Sequence, residues 1–342
     1  MSGKSTSKRI HVGLMGFGRI GRNFYRLVSE SNDFEIPVIS DVGKPEILHY
    51  LLQRDTVHGP FEHEVALKDH QLLLKDGRKT DLIQAIKPKD VSWSGYNVDV
   101  VVDATGKYLR KSDMQDHLSS GANRVIVTSL PDEAVDRIVC YGVNDDTIAG
   151  TDQMISAGSS TTSPTALMLK ILHHEFGLEW AMMTTIHAYT SDQPLADTAG
   201  EDYRRSRSAA ENIIPNDTPT AKWLEVVLPE FKDKFDGIAL NVPVPDGSCV
   251  DLTCQLAPGD VTVDAINNAV RAAAKKMPDI IEVTDDPIVS SDVIGNRHSL
   301  VFDAKATMKT SGRFIKVIGW YDNGWGHAAR LLDIIRAYSQ LN

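Results

Sequence analysis

Apolar and polar positions change rhythm along the chain, and the change predicts how it is organised. In the first half the apolar residues come as short unbroken runs rich in Val and Ile, over residues 9–15, 34–40, 98–103, 124–128, 137–141 and 153–156. Such runs suit parallel strands whose sheet is covered on both faces. Helical spacing after residue 18, with Phe24, Leu27 and Val28 on one face, and segments 45–53 and 112–120 supply the covering helices. Past residue 163 the pattern is different. A helical stretch over 165–176 is followed by long β runs over 178–189 and 237–244, then by the alternation of a half-covered antiparallel strand over 249–256. A helix over 261–277, a strand over 313–321 and a last helix over 327–341 complete the expectation. Between 190 and 220 the chain is polar, arginine-rich and without a regular period, and a connection that long is usually functional or an interface. No repeat of 20–50 residues is visible, which argues against a solenoid or propeller.

Two short stretches turn this pattern into chemistry. The first run leads straight into Gly16-Phe17-Gly18-Arg19-Ile20-Gly21 and then a helix, the order of a dinucleotide-binding turn. The first glycine makes the turn, the second admits a pyrophosphate, and the third lets helix and strand pack closely. Asp41 closes the second run, where a carboxylate accepts from the ribose hydroxyls of NAD and repels the 2′-phosphate of NADP. The expected fold class is therefore α/β: a Rossmann-type, doubly wound NAD domain over residues 1–158. An α+β catalytic domain with a mostly antiparallel sheet follows over 159–322, and the C-terminal helix within 323–342 returns to the first domain. The second stretch is the small-residue run 156–163, which opens the helix over 165–176. Its hydroxyls suit N-cap positions, and the positive end of the helix attracts anions. His187 ends the run over 178–189, where a strand carries a side chain out of the core into a cleft.

Bulk properties narrow the function classes. With 342 residues, 42% of them apolar and 24% charged, the chain suits two soluble domains. A net charge of −10 and a pI near 5.5 argue against nucleic acid or an anionic membrane as the main partner. No run of about 18 apolar residues occurs and residues 1–9 lack the apolar core of a secretion signal, so a cytoplasmic location is expected. Cys140, Cys249 and Cys254 are too few and too unevenly spaced for a disulfide framework or a zinc site. They read as buried thiols, and no metal is expected.

Taken together, the run 156–163 and Thr184-Thr185-Ile186-His187-Ala188-Tyr189-Thr190 resemble glyceraldehyde-3-phosphate dehydrogenase. Further motifs occur in family order, including Asn212-Ile213-Ile214-Pro215, Pro287-Ile288-Val289-Ser290-Ser291-Asp292, Phe302 to Thr307, and Trp320-Tyr321-Asp322-Asn323. The resemblance implies a homotetramer that converts glyceraldehyde 3-phosphate and inorganic phosphate to 1,3-bisphosphoglycerate while reducing NAD. A cysteine attacks the aldehyde with His187 as base, and phosphate cleaves the acyl-enzyme. By the same resemblance Thr105, Gly106 and Ser129 lie in cofactor-facing turns and Asn323 holds the nicotinamide carboxamide. Ser159, Thr161, Thr190, Asp192, Arg204, Arg207, Thr218 and position 241 receive the substrate and phosphate.

Four positions depart from the family pattern. Ser160 stands at the nucleophile position, and an alkyl hydroxyl ionises far less readily than a thiol. Turnover is expected to fall by several decades, and because the surrounding motifs are kept, a cysteine deliberately replaced by serine is favoured over natural loss. Asn241 stands where an arginine usually grips phosphate, Pro219 replaces a glycine and removes a backbone donor, and His327 replaces a tyrosine. Two rival readings remain: a relative acting on another phosphorylated aldehyde such as erythrose 4-phosphate, and an NAD-binding pseudoenzyme serving as a scaffold.

Overall fold

The computed structural model describes residues 9–310 and 312–341. Residues 1–8, most of the stretch read for the absence of a secretion signal, lie outside them. The chain divides into two compact units. One takes the residues up to Val139, residues 147–158 and those from Ala328 onward; the other takes Cys140–Asp146 and Ser159–His327.

In the first unit a nine-stranded sheet is built around Ile10–Met15. Phe34–Ser40 pairs on one side and Val100–Asp103 on the other, both parallel, so the strand order reverses at this central strand. Val125–Val127, Met154–Ser156 and Arg137–Ile138 extend the parallel part. The runs Val100–Asp103 and Val125–Val127 are buried at every position, as the unbroken apolar pattern requires. Gly13 shows how tightly the core is filled, because a Cβ there would meet the Trp93 ring at 2.6 Å. Beyond Phe34–Ser40 the sheet continues with Lys79–Ile83, Gln71–Leu74 and Val65–Lys68, the last two joined antiparallel. This meander is absent from the sequence expectation, because its strands are short and charged residues interrupt their alternation. The strand expected over 137–141 stops at Ile138. There the Cys140 N–H donates to Asn144 Oδ1 at 2.8 Å, turning the chain into a loop that groups with the second unit.

The second unit carries a seven-stranded sheet in the order Ile214–Asn216, Phe235–Val242, Leu178–Ala188, Ser248–Leu256, Phe314–Tyr321, Leu300–Lys309, Ile281–Thr284. Four of its six pairings are antiparallel and two are parallel. Burial alternates along Ser248–Leu256 and Phe314–Tyr321, the mark of a sheet with one covered face. The helix Thr162–Phe176 is among the elements covering it, with ten of its fifteen residues buried. The fold is thus a Rossmann-type parallel domain and an α+β domain with a mostly antiparallel sheet. The polar segment over 190–220 is less irregular than its composition indicates, since Ile214–Asn216 pairs with Phe235–Val242.

Candidate functional site

The glycine turn has distinct local causes at each position. Gly16 adopts a φ of +89°, and a Cβ at Gly21 would lie 2.1 Å from the Gly16 carbonyl oxygen, so the helix Arg19–Glu30 starts tight against the strand end. A Cβ at Gly18 would meet nothing within 4 Å. Gly18 also caps that helix without a side-chain bond, and no acidic residue occupies the first turn. A helix start of this kind is one toward which an anion such as a pyrophosphate is drawn. Asp41, half-buried at the end of Phe34–Ser40, accepts from the Phe17 N–H at 2.6 Å and the Gly43 N–H at 2.8 Å. Its carboxylate thus ties the glycine turn to the neighbouring strand end.

Three other residues singled out in the sequence follow parallel strands of the same sheet. Thr105 donates from its hydroxyl to Asp103 Oδ1 at 2.6 Å, with Gly106 following at a φ of +65°. The Ser129 carbonyl accepts from Ser156 Oγ at 2.8 Å. Behind Asp103, His117 Nε2 lies 3.1 Å from its other oxygen, and Trp93 Nε1 donates to His117 Nδ1 at 3.1 Å. An indole N–H only donates, so the imidazole proton sits on Nε2 and the turn is braced from the core. Sequence reasoning missed this brace, because Trp93 and His117 carry no local signal.

In the second unit, helical bonding begins before the regular helix Thr162–Phe176. The Ser159 carbonyl accepts from the Ser163 N–H at 3.2 Å, and Ser159 Oγ accepts from the Thr162 N–H at 3.0 Å. Ser159 is therefore the residue that caps, and Ser160 occupies the first turn, at the positive end. Thr161 is fixed from behind. Its hydroxyl lies 2.8 Å from the Tyr321 hydroxyl, which also bonds Thr185 at 3.0 Å, and burial pushes the Tyr321 phenol up to about 12.

His187 lies near the end of Leu178–Ala188, half-buried, with Nδ1 2.7 Å from the Ala188 carbonyl and 3.4 Å from Asn323 Nδ2. A pocket of about 220 Å³ brings together Ser160, His187, Ser159, Thr161, Thr190, Asp192, Thr218 and Asn241. Arg204 and Arg207 do not line it; Arg207 pairs with Asp197 at 2.9 Å instead. Arg205 lines the pocket in their place, its guanidinium paired with Asp192. Which arginine of the run 204–207 faces inward depends on loop geometry that no periodicity reveals. Asn216 is a further lining residue that the sequence did not point to; its Nδ2 approaches Asn241 Oδ1 at 3.5 Å. All three cysteines are buried, and burial pushes the thiols of Cys140 and Cys249 up to about 12.

Comparison with known proteins accounts for both units. Residues 10–111 match the family model described as "Glyceraldehyde 3-phosphate dehydrogenase, NAD binding domain", and residues 159–323 match its C-terminal domain. The chain is 41% identical over 328 residues to glyceraldehyde-3-phosphate dehydrogenase 2 of Streptomyces avermitilis, covering 95% of this chain and 97% of that one. It is 40% identical over 330 residues to glyceraldehyde-3-phosphate dehydrogenase 2 of Bacillus subtilis, covering 96% of each, and 40% identical over 333 residues to the Mycobacterium leprae enzyme, covering 95% and 97%. Matched over nearly its whole length, with an NAD-binding domain first and the dehydrogenase's C-terminal domain after it, the chain belongs to the glyceraldehyde-3-phosphate dehydrogenase family.

Proposed function

We propose that this chain is an NAD-dependent aldehyde dehydrogenase whose covalent chemistry is centred on position 160 and is impaired by the serine found there. The observation that carries the reading is the meeting, in one pocket, of Ser160 on the first turn of a helix and His187 near a strand end. NAD is held in the first unit by the turn Gly16 to Gly21 and by Asp41, with Thr105, Gly106 and Ser129 on neighbouring turns; when bound, it accepts a hydride. The residue at 160 adds to the aldehyde carbon while His187 takes the proton of the attacking group. Loss of hydride from that carbon leaves an acyl group on residue 160. An incoming oxygen nucleophile, phosphate in the family's reaction, attacks the acyl carbon and takes the acyl group, while residue 160 leaves and recovers its proton from His187. Ser159, Thr161 and the Tyr321 hydroxyl hold the helix start in place throughout.

With serine, attack requires removing a proton from an alcohol, and the oxygen ester formed is displaced less readily than a thioester. Restoring a thiol tests the reading: Ser160→Cys should bring back aldehyde-dependent NAD reduction, whereas a scaffold that only binds NAD would stay silent. A homotetramer and a cytoplasmic location belong to the same proposal. The segment over 190–213 supports the assembly, because it leaves Tyr203 95% exposed, with Leu195 and Ile213 also bare.

A further inference from the structure

One buried hydroxyl ties the strand end that carries His187 to Asn323. Ser248 opens the strand Ser248–Leu256, which pairs with Leu178–Ala188, and it is fully buried. Its Oγ accepts from the Ala188 N–H at 3.0 Å and lies 2.7 Å from Asn323 Oδ1. An amide oxygen only accepts, so the single hydroxyl proton goes to Asn323. That bond settles which end of the amide faces the proposed base. Asn323 Nδ2 lies 3.4 Å from His187 Nδ1, while the Asn323 N–H donates to Asp246 Oδ1 at 2.9 Å.

The imidazole has its own tie, because Nδ1 is 2.7 Å from the Ala188 carbonyl. A carbonyl only accepts, so Nδ1 carries the ring proton and Nε2 is the nitrogen able to take one. Asn323 Nδ2 is a donor and offers nothing to an Nδ1–H. Turned end for end, the amide would bring Oδ1 there as a second acceptor for the same proton, drawing the ring off the Ala188 carbonyl and changing where Nε2 points. Asn323 is 6% exposed, so an Oδ1 that lost Ser248 would gain by making that turn. We infer that Ser248 is a positioning residue: by holding Asn323 Oδ1 it keeps the His187 ring on the Ala188 carbonyl, with Nε2 as the base. The inference rests on the functional reading above, in which His187 serves position 160.

Alkylation of the Ser160→Cys chain by iodoacetamide tests this without turnover, in variants shown by urea unfolding to be folded. At about pH 7, Ser248→Ala should slow the restored thiol about 3- to 10-fold, because a misaimed imidazole supports less thiolate. Ser248→Cys, similar in size but a weak donor, should do the same, and Ser248→Thr, which keeps the hydroxyl, should stay within about twofold of the parent. At about pH 10 the thiol ionises unaided, and these chains should agree within about twofold. The charged groups around the ring are the same in every chain compared: among the described residues, Asp192, Asp217 and Arg205 on the pocket wall and Asp246 at the Asn323 N–H. Adding Ser248→Ala to Asn323→Ala should slow alkylation no further, since no Oδ1 remains to turn. An alanine chain as fast as its parent at the lower pH, one equally slow at both, or losses that multiply in the double variant would overturn the inference. Failure of the functional reading alone looks different: Ser160→Cys would reduce no NAD with any aldehyde while its thiol still answered to Ser248.

Discussion

His187 and Asn241 stand opposite each other on the paired parallel strands Leu178–Ala188 and Phe235–Val242, and both line the pocket that holds Ser160. Register neighbours share a face, so the proposed base and the Asn241 amide belong to one sheet and one pocket wall. Asn241→Ala in the Ser160→Cys chain should lower kcat/KM for the aldehyde by about 2- to 10-fold, the usual worth of one net hydrogen bond. Steady-state rates of NADH formation check this, and an unchanged value would remove Asn241 from substrate contact.

Cofactor choice follows from Asp41. NAD should bind more tightly than NADP by at least about tenfold, because a carboxylate opposes a 2′-phosphate. Asp41→Ser should narrow that gap and weaken NAD as well, since the Phe17 and Gly43 N–H groups lose their acceptor. Titration of both cofactors against both chains reads the effect, and equal affinities in the unsubstituted protein would take Asp41 away from the ribose.

The helix start offers a stability test. Ser159→Ala deletes the acceptor for the Thr162 N–H and should cost about 1 kcal/mol, as loss of a cap usually does. Ser159→Asn should recover most of it in urea unfolding. If alanine costs nothing, the cap does not hold the turn that carries position 160.

Much of the fold can be read from the sequence because burial on both faces leaves a direct trace: the unbroken Val and Ile runs of residues 98–103 and 124–128 correspond to strands Val100–Asp103 and Val125–Val127. The turn at Gly16 to Gly21 is equally visible, since Gly16 and Gly21 answer local steric demands. The edge meander from Val65 to Ile83 is not legible, because its strands are four or five residues long and bury at most alternate positions, which leaves no apolar run. The contact of Tyr321 with Thr161 and Thr185 is likewise hidden, joining three stretches far apart in the chain. Arg205, and not Arg204 or Arg207, lines the pocket for a reason found only in the path of a loop.

The thiols carry a pH signature. Burial raises Cys140 and Cys249 from 9.0 to about 12. A folded value raised above the unfolded one means that the contribution of the neutral thiol to stability is complete below pH 9 and is lost as the pH rises towards 12. Unfolding free energies should therefore fall across that window. Replacing both cysteines by alanine should flatten the fall while lowering stability at pH 7. At pH 8 the native protein should show no thiol that reacts quickly with iodoacetamide.

The most direct test of the account compares Ser160→Cys with Ser160→Cys, His187→Asn. The first should acquire one fast-reacting thiol and should reduce NAD when supplied with an aldehyde, because a thiol at a helix N-terminus near an imidazole is favoured as thiolate. The second should lose roughly two to four decades of that rate, the share of a positioned base, while still binding NAD. If the restored thiol reduces no NAD across phosphorylated and unphosphorylated aldehydes, or if the loss of His187 leaves the rate unchanged, position 160 and His187 do not form the catalytic pair.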